Sequence, residues 1–256
     1  MKVLVTVKAY PGLGNSVGEA ICVAGVRLDV SPPQWIRLWP VTFRELPDSA
    51  KFRKWQIIEI DGVKSRRDLR PESFTPHLHT VAPGEIIDTK RKWSRRRELL
   101  GPLLGDTNLC DLMAAQESGA HAPSLSLVKV APGATAQILD GPVWEPERQM
   151  LAEMAAAPHL FRDTALRPLQ PPKFQVSYRW RCTHPACPGH QHSSCDWEVG
   201  AAAFSWDKSY EDVRVPLLEK FGKAMLGPEH DTYFFVGNQH QRPRTFMVLG
   251  VFYPAL

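Results

Sequence analysis

Cysteine and histidine are concentrated in one short segment of this chain. The chain has 256 residues with five cysteines and nine histidines, and residues 182–198 contain Cys182, Cys187 and Cys195 together with three of the histidines. Zn²⁺ accepts thiolate sulfur and imidazole nitrogen without a geometric preference of its own, so this mixture favours zinc over other common ions. Because clustered cysteines in a reducing compartment hold metal more often than disulfides, we predict a zinc site here.

The spacing within this segment selects three ligands. Cys182 and Cys187 are separated by four residues, and His190 follows after a proline-glycine bend that lets the chain return to the same point. Three residues compete for the fourth position: Cys195, His192 and His240. Four protein ligands leave no position for water, so the predicted zinc site is structural. The remaining cysteines, Cys22 and Cys110, lie among apolar residues and are predicted to be small core residues.

Two carboxylates follow the predicted zinc segment. Asp196 and Glu198 lie two residues apart on a predicted strand, so both side chains would face the same side. Paired carboxylates can hold Mg²⁺ or Mn²⁺ for phosphodiester cleavage, although the lysine expected beside such a pair does not follow in the sequence. Pairing with nearby arginines is the simpler interpretation. Phosphate-loop, nucleophile-elbow and dinucleotide motifs are absent, which favours a protein that is not an enzyme.

Aromatic and basic side chains share one face of a predicted strand. The formal net charge is +4, which permits nucleic-acid binding without requiring it. Trp35, Arg37 and Trp39 alternate with aliphatic residues, and two indoles around a guanidinium suit the stacking of unpaired bases. The alternative is that another module covers this face.

A dense basic run lies at the predicted start of a helix. It consists of Lys90, Arg91, Lys92, Arg95, Arg96 and Arg97, and a sparser cluster precedes it at residues 64–70. Such a run could neutralise several phosphates. Positive charge at a helix start is unfavourable unless an anion binds there, whereas a solvated basic face is the ordinary interpretation.

Three motifs resemble a family of uncharacterised bacterial proteins. They are Cys-x4-Cys-x2-His-x5-Asp-Trp-Glu at residues 182–198, Phe-Val-Gly-Asn-x-His at 235–240 and Gly-x-Phe-Tyr-Pro at 250–254. Three N-terminal segments resemble the same family: Gly18-Glu19, Trp35-Ile36-Arg37-Leu38 and Arg70-Pro71-Glu72-Ser73. The resemblance implies no particular activity. It implies His240 as the fourth zinc ligand, because Cys195 and His192 lie outside the motif. Cys195 remains the alternative.

The elements that must position these residues indicate an α+β protein. Short β-type segments over 2–8, 20–28, 34–39 and 55–63, separated by prolines and glycines, indicate a small barrel of the OB-like or PUA-like kind. Helical spacing appears over 95–104, 106–117, 146–157 and 210–226, and further strands over 124–130, 135–139, 174–181, 232–236 and 245–252. We predict a β-rich barrel-like module at 1–90, a helical or mixed connecting region at 91–170 and a zinc-stabilised α+β module at 171–256.

These observations predict a cytoplasmic nucleic-acid-binding protein with a structural Zn²⁺ ion. The hydrophobic fraction of 43% suits a globular core, and the sequence shows neither an apolar stretch of about 20 residues nor a signal-peptide pattern. One alternative is a metal-dependent nuclease with catalytic Asp196 and Glu198. The other is a non-enzymatic subunit that docks on a protein partner.

Overall fold

A computed structural model of the chain describes residues 1–14, 17–105, 107–117, 122–159, 165–206 and 210–256. Its N-terminal strands are β1 (Lys2–Lys8), β2 (Gly12–Gly14), β3 (Gly18–Arg27), β4 (Gln34–Val41), β5 (Gln56–Lys64) and β6 (Ser73–Ile86). Four of them, β1, β3, β4 and β5, correspond to the predicted strands. The long strand β6 was not predicted, because Pro76 and Pro83 interrupt its alternation and prolines normally argue against a strand interior.

The N-terminal strands pair in a closed circuit. Strand β1 pairs with both β3 and β5, β5 pairs with β6, β6 lies parallel to β4, and β4 returns to β3. Apolar side chains that alternate along these strands form a buried core of their own, including Val5, Val23, Ile36, Leu38 and Ile58. Each strand of the circuit is therefore paired along both edges. Pairing on both sides fixes β4, and with it the positions of its side chains.

The C-terminal strands form two sheets of three strands. They are β7 (Leu125–Lys129), β8 (Thr135–Asp140), β9 (Phe174–Trp180), β10 (His190–Ser193), β11 (Tyr233–Gln239) and β12 (Arg242–Phe252). One sheet has the order β10-β9-β8 and the other β12-β11-β7. The predicted closing hairpin is confirmed by the antiparallel pairing of β11 with β12. Strands β7 and β8, which the sequence placed in the connecting region, pair with strands of the predicted C-terminal module.

The helices lie mostly where the apolar spacing predicts them. They are α1 (Lys90–Leu100), α2 (Leu109–Glu117), α3 (Pro146–Ala156), α4 (Trp197–Ser205), α5 (Tyr210–Leu218) and α6 (Ala224–Leu226). A π-helical turn, Glu219–Lys223, joins α5 to α6. Residue 106, where we placed the start of the second helix, lies outside the described residues. Helix α4 was not predicted. Among the described helices, none combines the length and apolarity that a membrane crossing requires.

One hydrophobic core is shared by the N-terminal and C-terminal strands. Leu4, Trp55 and Ile87 pack in it with Phe235 and Phe252. The Trp55 ring lies 6.0 Å from the Phe235 ring and 5.5 Å from the Phe252 ring, centroid to centroid. Burying several large aromatic side chains across a junction stabilises it by several kcal/mol, at about 25 cal/mol per Å² of apolar surface. The two halves of the chain therefore hold each other in a fixed relation.

Candidate metal centre and interregion cleft

Four potential metal ligands converge behind strand β9. Cys110, Cys182, Cys187 and His190 each offer one ligand atom, and these atoms all lie within 4.8 Å of one another. The Cys182 and Cys110 sulfurs are 3.6 Å apart, and His190 Nε2 lies 3.2 Å from Cys187 Sγ and 3.7 Å from Cys110 Sγ. Tetrahedral bonds of about 2.3 Å place ligand atoms roughly 3.7 Å apart. The cluster therefore has the dimensions of a tetrahedral metal site.

A tight turn between β9 and β10 positions three of these ligands. The Cys187 amide donates to the His184 carbonyl oxygen at 3.0 Å, and Gly189 adopts a φ of +98° that favours glycine. The chain then returns as β10, which places His190 directly opposite Trp180 on β9. The local sequence therefore dictates the approach of these three side chains, as their spacing predicted.

The fourth potential ligand of this group lies on helix α2, which differs from our expectation. Cys110, predicted to be a core residue, lies in the first turn of α2, where Asn108 Oδ1 accepts a hydrogen bond from the Asp111 amide at 3.0 Å. The structure does not bring His240 to the cluster, since its Nδ1 lies 3.2 Å from Asp68 Oδ1. Cys195 packs in the shared core instead, and burial raises the pKa of its thiol to about 12. The group of potential ligands that the structure brings together is therefore Cys110, Cys182, Cys187 and His190.

The two predicted catalytic carboxylates are joined to a lysine in the turn that precedes β5. Lys54 Nζ lies 2.7 Å from Asp196 Oδ2 and 3.3 Å from Glu198 Oε2. We predicted a strand here, but Asp196 is the N-cap of α4 and accepts the Glu198 amide at 3.0 Å, so the pair does not share a strand face. Asp196 is only 6% exposed, and burial raises its pKa against the opposing effect of Lys54. This arrangement ties α4 to the segment that precedes β5 and leaves Asp196 little surface for a metal ion, whereas the Glu198 side chain remains 52% exposed.

The structure separates the three residues predicted to share an exposed face of β4. Trp35 packs edge-on against Phe235, with ring centroids 6.1 Å apart, and Arg37 is buried beside Ser124. Trp39 is 38% exposed. The C-terminal half therefore covers Trp35 and Arg37, as our alternative interpretation expected, and leaves Trp39 accessible.

Most side chains of the basic run 90–97 have partners within the protein. Arg96 is buried between the Trp55 and Trp93 rings, with its guanidinium carbon 4.3 and 4.7 Å from their centroids, and donates two hydrogen bonds to the Ile87 carbonyl oxygen. Arg97 pairs with Asp231 at 3.1 Å. Three others have nearby acceptors: Arg95 pairs with Glu98, Lys90 with Asp88, and Lys92 donates to the Leu256 carbonyl oxygen. Arg91 is exposed.

A second basic segment lines a cleft of about 1100 Å³ between loop 64–70 and the turn that joins β11 to β12. Among the described residues, its lining includes five basic side chains and one acidic one: Arg37, Lys64, Arg66, Arg67, Arg70 and Asp68. Trp39 and His240 also line it. The basic cluster is visible in the sequence, but its position beside Trp39 is not, since only the fold brings loop 64–70 next to β4. This lining suits an anionic ligand that has a flat apolar group.

Hydrogen bonds across the cleft hold its two sides together. Arg70 Nη1 donates to the Asn238 carbonyl oxygen at 2.6 Å and to Asn238 Oδ1 at 3.0 Å. The Arg70 guanidinium also binds Asp68 at 2.6 Å. Burial opposes ionisation of Asp68, but hydrogen bonds from Arg70 and Ser73 outweigh this effect and hold the pKa of its carboxyl well below the ordinary range. The cleft wall is therefore an ordered ion-pair network.

Two family models divide the chain between them. The model described as Domain of unknown function (DUF8758) matches residues 1–102, and the model described as Domain of unknown function (DUF8757) matches residues 105–256. No curated protein matches the chain. We name residues 1–102 the first region and residues 105–256 the second region. The metal cluster lies within the second region, whereas the cleft and the Lys54–Asp196 pair lie between the two.

Proposed function

We propose that this chain, which belongs to the family described as Domain of unknown function (DUF8757), is a nucleic-acid-binding protein that holds a single strand in the interregion cleft. A structural Zn²⁺ ion on Cys110, Cys182, Cys187 and His190 stabilises the second region. The observation that carries the proposal is the cleft lining, in which basic side chains surround the exposed Trp39.

The charges at the cleft mouth support contact with phosphates. Lys64, Arg66 and Arg67 are all exposed, so an incoming strand would reach them from solvent. Lys64 Nζ also donates to the Pro71 carbonyl oxygen and lies 4.2 Å from the centroid of the Phe74 ring. Neutralising phosphates with exposed basic side chains releases condensed counterions, which supplies most of the affinity for nucleic acid at low salt. Arg70 and Asp68 bind each other, so they shape the wall rather than add free charge.

The exposed indole supports a single strand over a duplex. Trp39 offers its ring to the same space that the arginines line, and base stacking on an aromatic side chain requires an unpaired base. The closed circuit of five strands supports our prediction of a small barrel. Such barrels commonly bind single strands, so the circuit also supports the proposed ligand. Lys54 supplies the lysine that the nuclease alternative lacked in the sequence, but it pairs with an Asp196 carboxylate that is only 6% exposed, which favours a structural ion pair over a catalytic centre.

The test of nucleic-acid binding uses the purified full chain and fluorescently labelled oligonucleotides. We expect single-stranded DNA or RNA to bind with an affinity that falls steeply between about 50 and 200 mM salt, and to bind more tightly than the matching duplex. Absence of binding to every oligonucleotide at low salt would overturn the proposal. A stoichiometric protein partner that co-purifies in its place would instead support the docking-subunit alternative.

The donor set of the metal cluster supports zinc in a structural role. Three thiolates and one imidazole at tetrahedral spacing match a site that Zn²⁺ closes completely, so no position remains for a reacting water. Because the ligands come from both α2 and the β9–β10 turn, the ion would hold α2 against the β10-β9-β8 sheet. Metal binding would therefore contribute directly to folding stability.

Elemental analysis of cysteine variants tests the zinc site. We expect about one zinc per chain in the wild type, and loss of zinc together with a lower unfolding temperature in Cys110→Ser and Cys182→Ser. Cys195→Ser and His240→Ala are the matched controls and should retain the metal. Full zinc content in Cys110→Ser, or loss of zinc in His240→Ala, would contradict the ligand set.

A further inference from the structure

We infer that the floor of the cleft is a subsite for a terminal phosphate, built around Arg37, which takes the phosphorylated end of a nucleic-acid strand. This inference rests on the proposed function and specifies which part of the ligand enters the cleft. Arg37 belongs to β4 and is only 4% exposed, yet it lines the cleft. It therefore forms the cationic base of a space whose mouth carries Lys64, Arg66 and Arg67.

The hydrogen bonds of Arg37 leave part of its guanidinium unused. Nη2 donates to the Ser124 carbonyl oxygen at 3.3 Å and to Ser124 Oγ at 3.1 Å. Nη1 faces Cys22 Sγ at 3.6 Å, and sulfur is a weak acceptor. Nε has no hydrogen-bond partner in the part of the chain that the structure describes. A buried donor without an acceptor is destabilising, and an oxygen-rich ligand would supply the missing acceptor.

The charge of Arg37 is offset only indirectly within the protein. The nearby Glu72 carboxylate accepts hydrogen bonds from the Ser124 amide at 2.7 Å and from Ser124 Oγ at 2.8 Å. Ser124 thus stands between the two charges, and Arg37 makes no ion pair with a described carboxylate. Burial of a cation without a direct counter-charge is costly, so an anion at this position would be strongly stabilised.

The depth of Arg37 favours a terminal phosphate over an internal one. A phosphodiester carries a sugar on each side, so a strand would have to enter and leave the floor of the cleft. A phosphomonoester has one covalent substituent, three free acceptor oxygens and nearly two negative charges, which match a buried guanidinium with unused donors. Trp39, two residues along the same strand, would then stack the first base, and the basic mouth would contact the next phosphates.

The first experiment measures end preference with labelled ten-nucleotide single strands. Each strand is compared with a phosphate or a hydroxyl at its 5′ end, and a second pair differs in the same way at its 3′ end. We expect a phosphate at one end to raise affinity at least tenfold in the wild type, and Arg37→Lys to reduce that ratio to about two. Arg27→Lys, an arginine that pairs with Asp29 instead, is the matched control and should keep the wild-type ratio.

Equal affinities for phosphorylated and unphosphorylated ends would overturn the inference while leaving the proposed function intact. Binding of neither kind of strand would instead overturn both. An unchanged ratio in a folded Arg37→Lys protein would also contradict a subsite at this residue.

The second experiment uses the native chain, so it does not depend on whether Arg37 variants fold. Cys22 is partly exposed and lines the cleft beside Arg37, whereas the raised pKa of Cys195 leaves little of its reactive thiolate. We expect a saturating phosphorylated strand to slow alkylation of Cys22 by iodoacetamide at least fivefold, and an unphosphorylated strand at equal occupancy to slow it less. Peptide mass spectrometry assigns the label, with Cys22→Ser as the blank. An alkylation rate that is the same with both strands would contradict the subsite.

Discussion

The two basic segments of this chain differ more in their surroundings than in their charge. Run 90–97 is the denser in sequence, yet Arg96, Arg97 and Lys92 donate to groups inside the protein. Loop 64–70 has fewer charges, but Arg66 and Arg67 are exposed and line a cleft beside an accessible indole. The number of basic residues in a segment therefore does not indicate whether they are available to a ligand. Their availability depends on whether the fold supplies acceptors that already bind them.

The aromatic neighbours show the same difference. In run 90–97, Trp93 packs against Phe252 and Tyr253, with ring centroids 5.5 and 4.9 Å apart, so the indole belongs to the core. Next to loop 64–70, Trp39 remains 38% exposed. We therefore propose that run 90–97 serves stability and that loop 64–70 serves ligand binding, and four predictions test this division.

The largest effect is expected for the stability of Arg96→Ala. This change removes two hydrogen bonds to the Ile87 carbonyl oxygen and contacts with two indole rings, at a cost of about 3 kcal/mol in unfolding free energy. Urea unfolding measures the loss. Arg95→Ala, whose exposed side chain pairs with Glu98, should cost less than about 0.5 kcal/mol. Weaker oligonucleotide binding by Arg96→Ala without a loss of stability would contradict the division.

The next largest effect concerns affinity. Replacement of Lys64, Arg66 and Arg67 by alanine should reduce single-strand affinity about 100-fold at low salt and flatten its salt dependence. The matched triple variant, with Lys90, Arg91 and Arg95 replaced by alanine, removes the same charge and should change affinity less than about threefold. Fluorescence anisotropy over a salt series measures both. Equal losses in the two variants would show that general charge, not the cleft, attracts the ligand.

A smaller effect is expected at the indole. Trp39→Ala should weaken single-strand binding about tenfold, which is within the range for one stacked base, and should leave duplex binding nearly unchanged. Trp35→Ala should instead lower unfolding free energy, because Trp35 packs against Phe235. Quenching of tryptophan fluorescence by an added strand should disappear in Trp39→Ala alone. Persistence of quenching in that variant would place the base elsewhere.

The smallest effect is a pH dependence at the cleft wall. Because the pKa of Asp68 is lowered in the folded state, mainly by Arg70 and Ser73 against the effect of burial, the resulting stability is complete above about pH 5. It is lost as the pH falls below the ordinary carboxyl pKa of about 4. Between about pH 5 and 3 the wild type should lose on the order of 1 kcal/mol more than Asp68→Asn, as unfolding in urea would measure. Asp48→Asn removes an exposed carboxyl that pairs with Lys51. It should alter the stability lost between about pH 5 and 3 less than Asp68→Asn does.

The sequence predicts a metal ligand when its partners lie close along the chain. Cys182, Cys187 and His190 were identified because a short turn fixes their spacing and leaves few other conformations. Cys110 lies 72 residues before Cys182 and stands alone on an amphipathic helix, where a cysteine resembles any small apolar residue. The one available signal was that the local spacing fixed none of the three candidates for the fourth position.

The same distinction explains the correct and incorrect parts of the fold prediction. Alternation identified β1, β3, β4 and β5, since one face of each is apolar. Helix α4 was mistaken for a strand because Asp196 and Glu198 looked like an alternating pair, whereas Asp196 caps the helix. The cleft was not foreseen, because it requires loop 64–70 from the first region and residues 238–241 from the second. Contacts of this range depend on topology and not on local propensity.

The shared core gives the boundary between the two family matches an unexpected meaning. Leu4, Trp55 and Ile87 come from the first region and Phe235 and Phe252 from the second, yet all five pack in one core. A chain cut at residues 103–104 would expose this core on both fragments, so each should be poorly soluble when expressed alone. Two fragments produced in the same cell should instead assemble into a noncovalent copy of the whole protein. The two regions are thus separate in sequence classification but a single unit in folding.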